Sequence, residues 1–512
     1  MKTERTKKSF FNMSSNFIIL IVQTILSFVV RTYFIKILGE SNLGLDGLFS
    51  NILSMLSLTE LGISTAISFI LYKPLNDNVK ENIGIIMSFY RKMYIYVGII
   101  IFLLGICLVP FLSFIVKDYQ NDNMYLIYII YLLSTVSMYF ISYKEILILA
   151  DQNSYRLTWY NFGFMVTMYL LQILVLEVYH SFILYLVVML VVKTLQRICI
   201  NIYISKRYKD INFNTKDKLS KAEFNLLKLN IKSLFFSKVG DYCIYSTDNI
   251  LISNIVGLST VGIYTNYSSI VTMSRSLINS IFNGITASFG NLATTEDETT
   301  QKNVFEIIDF IGFILYGLLT IVYLVIISPF IKLWLGQKFL LSKYVVILIC
   351  INFYLMGTQV SLDTIKQACG FYNKDKYIPL LQAFVNLVLS IIFGKKIGLF
   401  GILIATTISY LVLPIWNKPY LLYKYIFKSN SYKYFFKQIK NIIILFLVYI
   451  LSNTIIQFLK LSNDFIFLVS SCIVIFFVFC CIVSLFYFKS SEYQYLINLI
   501  KSVFLKSIKR NC

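Results

Sequence analysis

Charged side chains stand inside long apolar runs, where each would cost about 2.5–3.5 kcal/mol if it faced lipid. They are Arg31; Asp46 and Glu60; Lys238, Asp241 and Asp248; Arg275; and Asp363 with Lys366. Such groups must line water or find partners. Arg31, Lys238 and Arg275 suit an anionic ligand, phosphate above all, through charge-assisted hydrogen bonds, and are the candidate substrate-binding residues. Asp46, Glu60, Asp241 and Asp248 are candidates for coupling to a proton or cation, since a carboxylate in a low-dielectric site binds either readily. The competing reading of all these groups is a set of ion pairs that hold helices together. Asp363 and Lys366, three residues apart on one helix face, fit it well. Tyr242, Tyr245, Tyr264, Tyr267, Asn266 and Asn283 have the chemistry to face sugars, although most of the 38 tyrosines belong to interfacial belts.

Other chemistries lack their residues. The chain has one histidine, His180, and nine cysteines without a CxxC, so neither a zinc site nor a catalytic triad is expected. No GxxxxGK[ST] loop occurs, so the chain does not itself hydrolyse ATP. No cofactor, no metal and no enzymatic activity is expected.

The elements that position these charges follow from composition. Of 512 residues, 58% are hydrophobic and only 14% charged, against about 25% charged in ordinary soluble domains. That excludes a soluble globular protein and a disordered one. The net charge of +21 is accounted for by basic loops of a polytopic membrane protein, without a nucleic-acid partner. About fourteen stretches are long enough to cross a bilayer: 12–38, 46–72, 93–116, 124–148, 157–177, 182–205, 231–256, 262–292, 304–331, 343–368, 377–394, 398–423, 440–459 and 464–488. The prediction is therefore an all-α polytopic membrane protein. Most Lys and Arg fall on one side if both termini are cytoplasmic, notably in 206–228, 418–440 and 489–510. Within 206–230, Ser220 and Glu223 form a capping-box pattern opening an amphipathic interfacial helix or charged hinge.

The chain also carries a duplication. Gly39 and Gly44 recur as Gly257 and Gly262, Ala150 recurs as Ala368, each 218 residues on, and Pro110-Phe111 recurs as Pro329-Phe330 at 219. Six helices per unit place both units in one orientation, related by an axis along the membrane normal. The expected organisation is a six-helix lobe (1–205), a basic cytoplasmic linker (206–230), a second six-helix lobe (231–426), and two extra helices with a basic tail (427–512). Transporters built this way bind substrate between lobes and rock them.

The segment GESNLGLDGLFSNILSMLSLTELGISTA (Gly39 to Ala66) resembles the first helical hairpin of Wzx-type polysaccharide repeat-unit flippases, in the multidrug/oligosaccharidyl-lipid/polysaccharide exporter superfamily. The resemblance continues through AISFILYKPLNDNVKENIG (Ala66 to Gly84), FYRKMY (Phe89 to Tyr94), PFIKLWLG (Pro329 to Gly336) and GLFGILIATTISYL (Gly398 to Leu411). It implies two six-helix lobes around a central cavity plus two C-terminal helices. It implies a multi-pass protein of the cytoplasmic membrane that flips undecaprenyl-pyrophosphate-linked oligosaccharide repeat units by alternating access, coupled to an ion gradient, for capsule or other surface polysaccharide. Lipid-linked oligosaccharide and membrane lipids are the partners so implied, with a polysaccharide polymerase and glycosyltransferases alongside. Carried onto this sequence, the cationic cavity residues are Arg31, Lys238 and Arg275. Two alternatives stand beside this reading: a multidrug or cation antiporter of the same superfamily, whose cavity should be acidic, and a membrane polysaccharide polymerase, which the short outer loops disfavour.

Overall fold

In a bilayer every backbone amide must be satisfied internally, and a chain this apolar meets that demand with helices. The computed structural model describes residues 2–57, 63–116, 123–151, 154–215, 247–369, 377–459 and 463–498, with isolated positions at 217, 219–221, 224–225, 227–228, 371 and 501. Among them no strand occurs. The helices are α1 (Lys2–Leu56), α2 (Ile63–Asn76), α3 (Lys80–Leu108), α4 (Leu112–Ile115), α5 (Met124–Ile141), α6 (Glu145–Ala150), α7 (Ser154–Tyr179) and α8 (Phe182–Arg207). After a helical stretch over 247–255 come α9 (Leu258–Thr295), α10 (Glu298–Leu335), α11 (Lys343–Ala368), α12 (Ile378–Val412), α13 (Pro414–Tyr425), α14 (Tyr432–Phe458) and α15 (Asp464–Tyr487).

Ten helical stretches among the described residues are long and apolar enough to cross a membrane. Two of them join expected spans: Ile378–Tyr425 holds 398–423 and nearly all of 377–394, and Ile19–Leu56 holds most of 12–38 and the first part of 46–72, whose remainder includes the start of α2. Glycine separates the paired spans. Gly39 has φ 80 and ψ 178, a region open essentially to glycine alone, and Gly398 has φ 61 and ψ −140. Most of the expected span 231–256 lies outside the described residues, and the next is α9, whose Ser, Thr and Asn content makes it less apolar.

The chain forms two compact units: Met1–Thr265 with Pro379–Leu387, and Asn266–Ile378 with Val388–Cys512. In the first, α1 packs along α7, α7 along α8, α8 along α5, and α5 along α3. In the second, α10 packs against α11 and α15, and α15 against α14. Side chains sort as lipid demands. On α14, Ile439, Ile442, Ile443, Phe446 and Ile450 are exposed, while the polar Asn441 and Ser452 are fully buried. Phe310, Phe313, Phe479 and Tyr487 centre the apolar core that joins α14 and α15 to α10.

Some repeat markers occupy equivalent places. Gly39 and Gly257 both have positive φ, each just before a helical segment starts. Ala150 and Ala368 both end helices. Pro329 differs from its counterpart: Pro110 lies in a 3-10 turn closing α3, whereas α10 continues past Pro329 to Leu335. Within the first unit, the segments that follow Gly39 and Gly257 cross at their glycines. A Cβ on Gly44 would lie 2.2 Å from the Leu258 carbonyl oxygen, and one on Gly262 would lie 2.2 Å from that of Glu40. Residues 40 and 258 are themselves a repeat pair, as are Gly47 and Thr265, and a Cβ on Gly47 would meet the Thr265 methyl at 2.7 Å. Contacts that map onto themselves when the repeats are exchanged are the signature of a two-fold relation.

Candidate functional site: an intramembrane charge cluster

The first unit brings charged side chains of α1, α6 and α8 together around α5. Lys193, Arg197, Asn201 and Ser205 recur every four residues along α8 and so share one face. That face meets the end of α5, where the helix gives way to a 3-10 turn at Ser142–Lys144 and frees carbonyl oxygens. Asn201 Nδ2 donates to the Ile141 carbonyl at 2.6 Å. Arg197 Nη1 donates to the Ser134 carbonyl at 2.7 Å and also to the Ser137 hydroxyl. Lys144 Nζ returns to α8, donating to Asn201 Oδ1 at 3.1 Å and Ser205 Oγ at 2.7 Å.

The kink at Gly39 brings both legs of α1 into the cluster. Arg31, on the first leg, donates from Nη2 to Thr265 Oγ1 at 3.0 Å, and that hydroxyl donates to the Gly262 carbonyl at 2.9 Å. Asp46, on the second leg, accepts a hydrogen bond from the buried Tyr131 hydroxyl of α5. Its carboxylate also lies in the fields of Arg31 and Lys193. Tyr185 of α8 stands beside both Arg31 and Asp46, its ring edge-packed on Phe34 at 5.1 Å. Glu145, in the first turn of α6, lies in the field of Arg197. Arg31, Lys144, Lys193 and Arg197 therefore face Asp46 and Glu145, leaving an excess of two positive charges. Lys193, half-buried, makes no hydrogen bond and no ion pair within 4.0 Å among the described residues.

Of the residues singled out from sequence, Arg31 and Asp46 meet in this cluster. Asp248 is buried in the same unit, near Tyr264. Arg275 is half-buried on α9, in the second unit. Glu60, Lys238 and Asp241 lie outside the described residues, as does Glu223 of the capping-box pattern. Asp363 pairs with Lys418 of α13 at 2.8 Å, and not with Lys366 three residues along its own helix as the spacing predicts. A partner on a neighbouring helix can approach head-on, which a neighbour on the same face cannot. Lys193, Arg197 and Glu145 were missed. The available signal was the i, i+4 pair of basic residues in the otherwise apolar VVMLVVKTLQRICINI.

The model of the polysaccharide biosynthesis protein family matches residues 9–287, more than half of the chain, covering most of α1 and all of α2 to α8. The chain belongs to that family. No match is found among curated protein sequences. Among solved structures, this family member is similar to the lipid II flippase MurJ in an inward closed conformation, with 14% identity, a TM-score of 0.64, and coverage of 92% of this chain and 98% of that one. It is also similar to an inward-facing multidrug resistance MATE family transporter of the MOP superfamily (14% identity, TM-score 0.60, 78% and 95% covered). A mutant of the Vibrio cholerae MATE transporter VcmN matches at 13% identity and TM-score 0.59, over 84% and 99% of the two chains. The polysaccharide biosynthesis family member thus shares its fold with MOP-superfamily transporters, and it is a multi-pass membrane protein.

Proposed function

We propose that the protein flips a lipid-linked oligosaccharide, carried on undecaprenyl pyrophosphate, across the cytoplasmic membrane by alternating access of its two repeats, 1–205 and 231–426. The observation that carries this reading is Lys193: a half-buried ammonium with no direct partner among the described residues, set beside Arg197 in a cluster of net positive charge. An unpaired intramembrane cation is costly unless a ligand supplies the anion, and a pyrophosphate is such a ligand. Asp46, held by Tyr131, is the described carboxylate best placed to exchange a proton or cation with that cluster. Arg275, Lys238, Glu60, Asp241 and Asp248 keep the roles assigned to them from sequence as part of the same proposal. So do the cytoplasmic placement of both termini and the association with a polymerase and glycosyltransferases that make surface polysaccharide.

The test is flipping of a fluorescent polyprenyl-pyrophosphate glycolipid by purified protein in proteoliposomes, with dithionite quenching as readout. Wild type should flip the pyrophosphate-linked lipid and not its uncharged analogue. Lys193→Gln and Arg31→Gln should lose flipping while keeping their yield and unfolding temperature. Equal flipping by both variants and wild type would overturn the assignment of the cations. The likeness to MATE transporters keeps cation antiport as the second reading; a drug-susceptibility panel on a deletion strain whose surface polysaccharide stays intact would favour it.

A further inference from the structure

The second unit holds a charged cluster that plays no part in the reading above. Asp309 of α10 is 4% exposed. It accepts from the Ser361 hydroxyl of α11 at 2.9 Å and from Gln438 Nε2 of α14 at 3.3 Å. Lys437 Nζ lies 3.9 Å from Asp309 and 3.0 Å from Glu492, which is itself buried after the end of α15, and it also donates to the Glu306 carbonyl. Two carboxylates thus share one ammonium. The next basic group, Lys440, lies in the field of Glu492 but bonds directly to neither carboxylate: it donates to the Phe486 carbonyl at 2.9 Å and lies 3.9 Å over the Tyr487 ring. Around the carboxylate stand the rings of Tyr354, Tyr423, Tyr434 and Tyr487, from α11, α13, α14 and α15.

One negative charge is left without a directly bonded counter-charge, in a place where a buried charge without a partner is expensive. A cavity of about 10 Å³ adjoins Asp309, close to the room one water-sized species needs. Tyr354, Thr358, Ser361 and Gln438 line it with Asp309. Tyr354 is 7% exposed, and its hydroxyl makes no hydrogen bond among the described residues. The cavity therefore combines a surplus negative charge, room for a small species and an orphaned oxygen.

We propose that this cavity is a monovalent-cation site centred on Asp309, which takes up a proton or a sodium ion and so fastens α14 and the segment bearing Glu492 to α10. A proton on Asp309 turns its carboxyl into a donor, for which the Tyr354 oxygen is an unused acceptor. A sodium ion would draw on the oxygens of Asp309, Ser361 and Tyr354. Either removes the surplus charge.

Thermal unfolding of the full chain in detergent tests the proposal, with NaCl exchanged for KCl at constant ionic strength and pH varied from 5 to 8. Labelling of Asp309 by dicyclohexylcarbodiimide, which attacks protonated carboxyls in apolar sites, is read by peptide mass spectrometry. For sodium, the unfolding temperature rises with each tenfold increase in Na⁺. Na⁺ then protects Asp309 from labelling, Asp309→Asn abolishes the response, and Tyr354→Phe raises the half-saturating Na⁺ severalfold. For a proton, the unfolding temperature rises as pH falls, labelling of Asp309 rises with it, Na⁺ has no effect, and Asp309→Asn removes the slope. Glu492→Gln, which removes the surplus charge and leaves Lys437 to Asp309 alone, should weaken the labelling response, and an unchanged response would count against the shared ammonium. Wild-type protein that responds to neither cation, or whose Asp309 labelling is constant under both, overturns the site. The labelling arm decides the matter even if Asp309→Asn fails to fold.

Discussion

The glycine crossing makes the most quantitative demand on the structure. In Gly44→Ala the new methyl would sit 2.2 Å from the Leu258 carbonyl oxygen and 3.1 Å from its carbonyl carbon, where ordinary contact begins at 3.4 Å. Neither atom can rotate away, because both are backbone. The two segments must separate by roughly 1 Å, and a gap of that size forfeits up to about half of each affected dispersion contact. Overpacking of this kind costs about 1–3 kcal/mol. Gly262→Ala should cost a similar amount, since its methyl meets the Glu40 carbonyl at the same 2.2 Å. Both methyls force the same crossing apart, so the second should be cheaper once the first is present. The double variant is expected to fall short of the sum by about 0.5 kcal/mol or more. Gly163→Ala is the control: a Cβ there meets nothing within 4 Å, and replacing a mid-helix glycine stabilises by about 0.5–1 kcal/mol. Unfolding of the four variants in mixed micelles, titrated with denaturing detergent, gives the free energies. Strict additivity, or single variants no less stable than Gly163→Ala, would refute the close crossing and with it the two-fold relation read from residues 40, 44, 258 and 262.

Other expectations follow from single sites. Gly39→Ala should destabilise by about 1–3 kcal/mol in the same assay although its surroundings are open, because φ 80 with ψ 178 strains any side chain. Lys418→Met should cost about 1–3 kcal/mol by leaving the half-buried Asp363 alone, and adding Asp363→Asn should recover part of the loss. The Asp297 carboxylate caps α10 and is held down to about 2 by hydrogen bonds from Thr299 and Thr300. Its contribution is complete above its ordinary value and is lost as pH falls through about 2. A carboxyl titration of Asp297 followed by NMR should therefore have its midpoint well below 3.8, and a midpoint at the ordinary value would refute the cap.

Much of the architecture was legible because lipid is a strict solvent. Apolar runs of the right length must be helices when no water is present to satisfy the backbone. The spacing of Gly39 and Ala150 from Gly257 and Ala368 pointed to positions that share a positive φ and a helix end, respectively. Arg31 and Asp46 were recognisable for the same reason: charges in apolar runs are conspicuous. Pairing was not legible. Asp363 had an eligible partner on its own helix and took Lys418 instead. Lys193 and Arg197 stood in plain sight on α8, yet only the packing of α8 against α5 and the bend at Gly39 separates them, one satisfied by α5 oxygens and one left without a direct partner among the described residues. The Asp309 cluster draws on residues 309, 354, 361, 437, 438 and 492, whose separation along the chain hides any pattern. By itself the sequence determined that the chain is helical and membrane-spanning, because hydropathy acts locally along the chain. Which charges are neutralised and which are left available was decided by tertiary structure, because the energy of a charge in a low dielectric depends on the few ångströms to its partner.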